Sequence, residues 1–151
     1  MNKLSGLKNV AVFLVLVSAL CSPCSRAADT HANAVASAHT HVVFQISDDD
    51  AKKWNLALNN VKNVQQELGA DNVDIEVVAY GPGIGMLKFE SSVAERVDEA
   101  VKSGVKVVAC ENTMKAQKLG KADMMSSIGY VPAGVIEIIK KQNEGYAYIR
   151  P

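Results

Sequence analysis

The sequence predicts an α/β protein, a three-layer α/β/α sandwich built on a mostly parallel sheet of about five strands. Short runs rich in valine and isoleucine alternate with longer segments whose apolar residues recur every three to four positions. This alternation is expected where helices connect parallel strands. The apolar runs are also continuous, which is typical of strands covered by helices on both faces of the sheet. Residues 41–151 are long enough for one such domain.

The first 27 residues are predicted to be an export signal. Lys3 and Lys8 give a basic start, residues 10–20 form an apolar run, and Ser25-Arg26-Ala27 places small residues where a signal peptidase cuts. The run is shorter than the ~20 apolar residues that a spanning helix needs, so no membrane span is expected after cleavage. The sequence therefore predicts a periplasmic or secreted protein.

Cleavage before Ala28 changes the charge and the cysteine count. It removes three basic residues and no acid, so the mature chain has a net charge of −3. That balance disfavours nucleic acid as a partner. Two of the three cysteines are removed as well, which leaves Cys110 as the single thiol. In an oxidising compartment such a thiol is expected to be buried, paired between chains, or used in chemistry.

The segment from 28 to 40 is small and polar and is predicted to be a disordered lead-in. His39 and His41 follow each other closely, and imidazole suits nickel, copper and zinc. No acid or thiol lies nearby in the sequence to complete such a site. A solvated tail is therefore favoured over a metal site, and no cofactor is predicted.

The folded region opens with a strand at 42–46 and a helix whose start is predicted at Ser47. The acids at 48–50 suit a first helical turn, where the helix dipole favours negative charge. The helix is expected to end before Gly69. Five apolar residues share its predicted buried face: Trp54, Leu58, Val61, Val64 and Leu68.

A second strand is predicted at 73–80, and the glycine-rich run 81–85 follows it. Glycines between a strand and a helix can cradle a phosphate. Here the spacing is G-x-G-x-G, which is not a dinucleotide fingerprint, and Pro82 removes one N–H donor. A tight turn is therefore favoured over a nucleotide site.

The next helix is predicted around 93–101, ending at Ser103-Gly104, and the third strand at 105–109 leads into Cys110. Asn112 or Thr113 is expected to cap a short helix that continues to Leu119.

The last third of the chain is predicted to hold one more helix and one more strand. Residues 121–132 are predicted to be a loop, and the helix is predicted at 133–142. Val135, Ile138 and Ile139 are expected on its buried side. The final strand is predicted at 146–149.

The predicted site lies where strands end, because ligands gather at the carboxyl ends of parallel strands. Ser47, the 81–85 run and Cys110 occupy such ends and are expected to share one edge. Free N–H groups of the helix after Cys110 can stabilise a thiolate and lower its pKa. Glu111 opposes this if its charge faces the thiol, and buried cysteine is also common as a small hydrophobe. The sequence therefore leaves two roles open for Cys110, a chemical role and a packing role.

The methionines raise a soft-metal alternative. Four of them can surround Cys110 and offer thioether ligands to Cu(I), namely Met86, Met114, Met124 and Met125. Methionine near a cysteine is more common as core filler, which is the favoured interpretation.

Three blocks of sequence resemble the DsrE/DsrF-like family, in its small single-domain branch. They are VVACENTM at 107–114, YVPAGV at 130–135 and GYAYIRP at 145–151. The resemblance implies a layered α/β domain that assembles into homo-oligomers, often trimers or hexamers. It also implies sulfur relay, in which a cysteine at the end of a central strand accepts sulfane sulfur as a persulfide. Cys110 matches that position, and the implied partners are a sulfur donor or acceptor protein.

The resulting hypothesis is an exported protein that binds or relays sulfane sulfur. Its alternatives are a non-catalytic oligomeric binding module and a copper-binding protein. The amides after Cys110 are expected to stabilise the negative sulfur, and the loop at 81–85 to shape the pocket. With Cys110 as the reactive residue, the predicted binding residues are Ser47, Tyr80, Gly81, Gly83, Asn112, Thr113 and Met114.

Overall fold

The computed structural model describes residues 39–151, which form a five-stranded sheet with helices on both faces. Every neighbouring pair of strands is parallel, and their order across the sheet is β4-β3-β2-β1-β5. The predicted α/β class with a parallel five-stranded sheet is therefore confirmed. The strands are β1 (Thr40–Ile46), β2 (Val73–Ala79), β3 (Lys106–Cys110), β4 (Gly129–Val131) and β5 (Ala147–Ile149).

Four α-helices and three short 3₁₀ segments connect the strands. The helices are α1 (Ala51–Leu68), α2 (Ala94–Lys102), α3 (Glu111–Ala116) and α4 (Gly134–Asn143). The 3₁₀ segments are Ala70–Asn72, Gly81–Leu87 and Lys121–Asp123. Within residues 39–151, no helix has the length and apolar character needed to cross a membrane. The predicted signal (1–27) and residues 28–38 of the predicted lead-in lie outside the described residues.

The core has two parts, one on each face of the sheet. The larger part lies under α1 and α2 and includes Phe44, Val77 and Val107. The smaller part lies under α4 and joins Val43, Val78, Val108, Val131 and Ile138. Successive side chains of a strand point to opposite faces, so burial on both faces requires apolar residues at consecutive positions. This is the physical origin of the uninterrupted apolar runs in the sequence.

Helix α1 begins later than predicted. Its N-cap is Asp50, whose Oδ1 accepts a hydrogen bond from Lys52 N at 2.8 Å. Ser47 is not the cap, because its hydroxyl instead accepts a hydrogen bond from Gln45 Nε2 at 3.0 Å. The predicted end is confirmed, since Gly69 follows the last helical residue in a positive-φ conformation (φ 87°).

The glycine-rich run is not a tight turn. Gly81–Leu87 is a 3₁₀ helix with Pro82 in its first turn, where a missing N–H breaks no helical hydrogen bond. Ile84, Met86 and Leu87 are buried in the core on the α1–α2 face. These apolar side chains anchor the segment across the carboxyl ends of the strands.

The predicted loop at 121–132 contains a strand that the sequence did not reveal. β4 is only three residues long, and it pairs with β3 through Val108↔Gly129, Ala109↔Tyr130 and Cys110↔Val131. So short a segment carries no readable periodicity, and its partner is distant in the sequence. Only the completed sheet defines it as a strand.

Helix α4 buries less of its apolar surface than predicted. Ile138 is 6% exposed, but Val135 and Ile139 are 50% and 47% exposed, so their predicted burial is wrong in the single chain. Ile136 is 51% exposed as well. One stripe of α4 contacts the sheet, and the remaining apolar residues lie on its outer side.

Candidate functional site

Cys110 is both the last residue of β3 and the N-cap of α3. Its Sγ accepts a hydrogen bond from Thr113 N at 3.4 Å, a distance that suits sulfur. The expectation that Asn112 or Thr113 caps this helix is wrong, because the cysteine itself does so. Helix α3 also ends at Ala116 rather than at Leu119.

The pKa of the Cys110 thiol lies below its ordinary value. Burial raises the pKa, but hydrogen bonds to the sulfur outweigh that effect. They come from the Thr113 hydroxyl and from the backbone N–H groups of Gly134, Thr113 and Asn112. Asn112 N also donates to Pro132 O at 3.1 Å, so its amide is shared and contributes least. Hydrogen bonds to the charged form favour the thiolate.

Two helix N-termini therefore converge on one sulfur atom. Thr113 belongs to the first turn of α3, and Gly134 is the first residue of α4. A helix N-terminus carries a partial positive charge and free N–H groups, and both favour a neighbouring anion. This arrangement is what the geometry contributes to thiolate chemistry at Cys110.

Thr113 also links the sulfur to the glycine-rich segment. Its Oγ1 accepts a hydrogen bond from Gly81 N at 2.9 Å, while Gln117 Nε2 donates to Gly81 O at 3.2 Å. Gly81 has φ 54°, a left-handed conformation that favours glycine. The Gly81 amide thus orients the Thr113 hydroxyl so that its proton is free to point at Cys110.

Gly134 allows the second helix to reach the sulfur. A Cβ atom at this position would lie 2.9 Å from Cβ and 3.0 Å from Cδ1 of Tyr80. Only glycine therefore lets the start of α4 pack against Tyr80. Burial raises the pKa of the Tyr80 phenol above its ordinary value. Gly134 was not among the predicted site residues, although it follows Pro132-Ala133 at a helix start.

Gly83 and Ser47 lie at the same edge of the sheet but have other roles. A Cβ atom on Gly83 would lie 2.4 Å from Ile46 O, so this glycine lets the 3₁₀ segment pack on the end of β1. Tyr80 N donates to the same Ile46 carbonyl at 3.0 Å. Ser47 is separated from Cys110 by strand β2 and bonds to Gln45. The predicted shared edge at the carboxyl ends of the strands is therefore present, but Ser47 lies on the far side of β2 from Cys110.

Met114 and the other candidate soft ligands are core residues. Met86, Met114, Met124 and Met125 all belong to the cluster under α1 and α2. Cys110 is outside that cluster, since it shares a strand face with Val108, under α4. The thioethers therefore fill the opposite layer, and copper binding has no support from this geometry.

Access to the sulfur is narrow. Cys110 is 5% exposed in the single chain, and it is the only free cysteine among residues 39–151. A more open groove of about 380 Å³ lies between α1 and α2, lined by Leu58 and Arg96 among others, on the other face of the sheet. Large ligands at that groove would not contact the thiol. Reagents that reach Cys110 must be small or must follow a local opening.

Sequence and structure comparisons identify the family. The model of the DsrE/DsrF-like family matches residues 40–151. The chain belongs to the DsrE/DsrF-like family. Among solved structures, this family member is similar to MTH1491 from Methanobacterium thermoautotrophicum, a protein of unknown function. The two are 38% identical with a TM-score of 0.71, and the match covers 74% of this chain and 99% of MTH1491.

Two more distant structures share the fold. BT1422 from Bacteroides thetaiotaomicron is 12% identical to this DsrE/DsrF-like chain, with a TM-score of 0.61, covering 74% of this chain and 94% of BT1422. The ychN protein from E. coli is 8% identical, with a TM-score of 0.61, covering 75% of this chain and 99% of ychN. No curated protein matches the chain. Identities this low support the fold alone.

The three sequence blocks that indicated the family occupy defined places in the structure. Residues 107–114 span the junction of β3 and α3, and residues 130–135 contain the start of α4. These two blocks supply the sulfur of this DsrE/DsrF-like protein and the N–H groups that surround it. Residues 145–151 contain β5, which pairs with β1. The family resemblance is therefore confirmed, and two of its blocks meet at Cys110.

Proposed function

We propose that this DsrE/DsrF-like protein carries sulfane sulfur as a persulfide on Cys110 and passes it to an acceptor. The supporting observation is that Cys110 Sγ accepts a hydrogen bond from Thr113 N at 3.4 Å, beside the Thr113 hydroxyl and the Gly134 N–H at the start of α4, which lower the thiol pKa. A lowered thiol pKa increases the thiolate fraction at neutral pH, and the thiolate is the nucleophile in sulfur exchange.

The proposed step conserves atoms and charge. The Cys110 thiolate attacks the outer sulfur of a donor RS–SH, so a new S–S bond forms while the RS–SH bond breaks. The products are Cys110–S–SH and RS⁻, and no external oxidant is needed because sulfane sulfur is already oxidised. An acceptor thiolate then attacks the outer sulfur, and Cys110 leaves as a thiolate stabilised by the same N–H donors.

The proposed setting is the periplasm or the extracellular space. The basic start, the apolar run at 10–20 and the small residues at 25–27 support export. After cleavage Cys110 has no partner cysteine in its own chain, so an internal disulfide cannot consume the thiol. A donor or acceptor in that compartment is the expected partner, and nucleic acid is not.

One mass measurement tests both the proposed export and the proposed persulfide on Cys110. Protein recovered after export is expected to begin at Ala28 and, after incubation with inorganic polysulfide, to gain the mass of one sulfur atom. A reducing thiol should remove that mass, and Cys110→Ser should never gain it. The proposal is overturned if wild-type protein gains no sulfur under conditions where iodoacetamide alkylates Cys110.

The rival function is a binding module in which Cys110 only packs. The 5% exposure of Cys110 favours this second candidate. The reaction of Cys110 with thiol reagents of two sizes distinguishes sulfur relay from pure packing. Under sulfur relay, native protein reacts with iodoacetamide faster than with a bulky aromatic disulfide. Under pure packing, neither reagent reacts until the protein unfolds.

We also propose that the chain assembles into a homo-oligomer, a trimer or hexamer, through the outer face of α4. Ile139 lies four residues after Val135 and three after Ile136, so it is adjacent to both on the helix surface, and all three side chains are about half exposed. Burial of such side chains between subunits is favourable by roughly 25 cal/mol per Å² of apolar area.

Ile136→Lys is therefore expected to convert the assembly to monomers in light scattering. The matched control is Gln66→Lys, which places the same charge at an exposed polar position of α1, on the other side of the sheet, and should leave the assembly intact. A wild-type protein that is monomeric at micromolar concentration contradicts the oligomer, and an Ile136→Lys variant that remains assembled contradicts this interface.

A further inference from the structure

Two histidines and a carboxylate meet at the edge of the sheet opposite to Cys110. His39 Nε2 and His41 Nδ1 each lie 3.1 Å from the same oxygen, Asp74 Oδ2. All three donor atoms lie within 4.8 Å of one another. The carboxylate was not apparent from the sequence, because Asp74 belongs to another strand.

The register of the sheet produces this cluster. His41 and Asp74 are direct partners in the parallel pairing of β1 with β2. Cross-strand partners point to the same face, and so does a residue two positions away, which brings in His39. The Tyr146 ring lies 5.0 Å from the His41 ring, centroid to centroid, and limits its rotation. The donors are thus held by backbone pairing and ring packing.

The Nδ1 atom of His41 is a buried polar atom that lacks a hydrogen bond within residues 39–151. Nδ1 is shielded from solvent and has no hydrogen-bond partner among the described residues. Asp74 Oδ2 is close enough, but the pair does not have hydrogen-bond geometry. A desolvated polar atom without a partner is unfavourable. An atom placed between the three donors would satisfy it.

We infer that His39, His41 and Asp74 form a binding site for a late first-row divalent cation such as Zn²⁺, Ni²⁺ or Cu²⁺. Two neutral imidazoles and one carboxylate are the donor set that such ions prefer, whereas Mg²⁺ and Ca²⁺ favour oxygen alone. Ligands about 2.0–2.2 Å from a common ion lie about 3.3–3.6 Å apart in tetrahedral geometry. The observed His–Asp separations of 3.1 Å are slightly shorter, so a small outward movement of the side chains would admit the ion.

The surrounding charges permit a cation. On α4, the charged group beside Tyr146 is Lys141, whose Nζ lies 4.7 Å from the centroid of the Tyr146 ring. Lys141 is itself neutralised, at 2.7 Å from Glu144 Oε2 and 3.7 Å from Glu76 Oε2. Three protein ligands leave further coordination positions open to water, because His39 and Asp74 are about half exposed.

The site is independent of the proposed sulfur chemistry. It lies at the amino ends of β1 and β2, whereas Cys110 lies at the carboxyl end of β3. Bound metal would join the start of β1 to β2 and stabilise the fold by an amount that grows with the logarithm of the free metal concentration above Kd. Cys110→Ser is therefore expected to bind zinc as wild type does, which separates this site from any thiolate site.

The test is calorimetric titration of Zn²⁺ into purified protein without a histidine tag. Wild type is expected to bind one zinc ion per chain, and His41→Gln and Asp74→Asn should each weaken binding by about tenfold or more. Asp71→Asn removes an exposed acid just before β2 and is the matched control, with unchanged affinity.

A second measurement, thermal unfolding, distinguishes loss of the metal site from loss of the fold. In the presence of EDTA, Asp74→Asn and the exposed variant His39→Gln should unfold cooperatively, and zinc should raise the unfolding temperature of wild type alone. Equal zinc affinity in wild type, His39→Gln and Asp74→Asn overturns the site. Loss of zinc binding in Cys110→Ser overturns it as well.

Discussion

Thr113→Val is expected to slow the alkylation of Cys110 at pH 7 about tenfold. The substitution removes the hydroxyl that donates to the sulfur but keeps the shape of the side chain. A hydrogen bond to a charged group contributes about 1.5–3 kcal/mol, and 1.4 kcal/mol is a factor of ten in the thiolate fraction. The measurement is the rate of iodoacetamide reaction as a function of pH.

The direction of the pH effect follows from the lowered thiol pKa. In wild type the thiolate appears at a lower pH than in an ordinary cysteine, so the reaction rate rises early along the pH scale. Loss of the Thr113 donor raises the pKa, and the rate profile of Thr113→Val shifts to higher pH. Thr113→Ser keeps the hydroxyl and should retain the wild-type profile. Superimposable profiles for Thr113→Val and wild type would show that this hydroxyl does not stabilise the thiolate.

The same lowered pKa has a consequence for stability. A thiol whose pKa is lower in the folded state contributes stability that is present above the pKa of the unfolded chain, ordinarily about 8.5. That contribution is lost as the pH falls through the folded pKa. Wild type should therefore become more stable relative to Cys110→Ser as the pH rises toward 8.5, as measured by urea unfolding across pH.

Gly83→Ala is expected to lower the free energy of unfolding by about 3 kcal/mol, at the upper end of the cost of overpacking a core. The added Cβ would lie 2.4 Å from Ile46 O, 2.6 Å from Ile46 C and 2.8 Å from Ser47 N. All three are backbone atoms at the end of β1, so no side-chain rotation can relieve the overlap. Either the 3₁₀ segment or the end of the strand must move.

Gly120→Ala is the matched control for this prediction. Its nearest neighbour would be Asp123 Oδ2 at 3.6 Å, which is an ordinary contact, and its φ of −94° suits alanine. The control should change the free energy of unfolding by less than about 0.5 kcal/mol. Equal stability of Gly83→Ala and Gly120→Ala would mean that the 81–87 segment is not held against β1 as the structure shows.

Displacement of that segment also reaches the candidate site. Gly81 N donates to Thr113 Oγ1, and Thr113 donates to Cys110. Gly83→Ala is therefore expected to slow Cys110 alkylation as well as to destabilise the fold, whereas Gly120→Ala should do neither.

Much of the site's local design was predictable from the sequence. A strand that leads into a cysteine and then a helix start places the thiol beside free N–H groups, and the pKa of Cys110 is indeed lowered. The end of α1 and the positions of α2 and β2 followed from periodicity and from glycine at the helix end. The N-caps were less certain, since Ser47 and Asp50 both have suitable side chains and only the backbone conformation selects Asp50.

The contribution of Gly134 was not predictable in the same way. This residue is far from Cys110 in the sequence, and its N–H reaches the sulfur because α4 packs across the sheet against Tyr80. The exposure of Val135 and Ile139 depended on the same packing. An apolar helix face signals burial, but it does not say whether the sheet or another chain covers it.

The amino-acid sequence by itself determined the alternation of strands and helices, the family and the choice of Cys110 as the candidate thiol. These properties follow from local periodicity, capping chemistry and short blocks of residues. The tertiary structure alone decided that a second helix donates to Cys110 and that Asp74 joins His39 and His41. Both depend on cross-strand register and helix placement, which arise from contacts between residues distant along the chain and leave no local pattern.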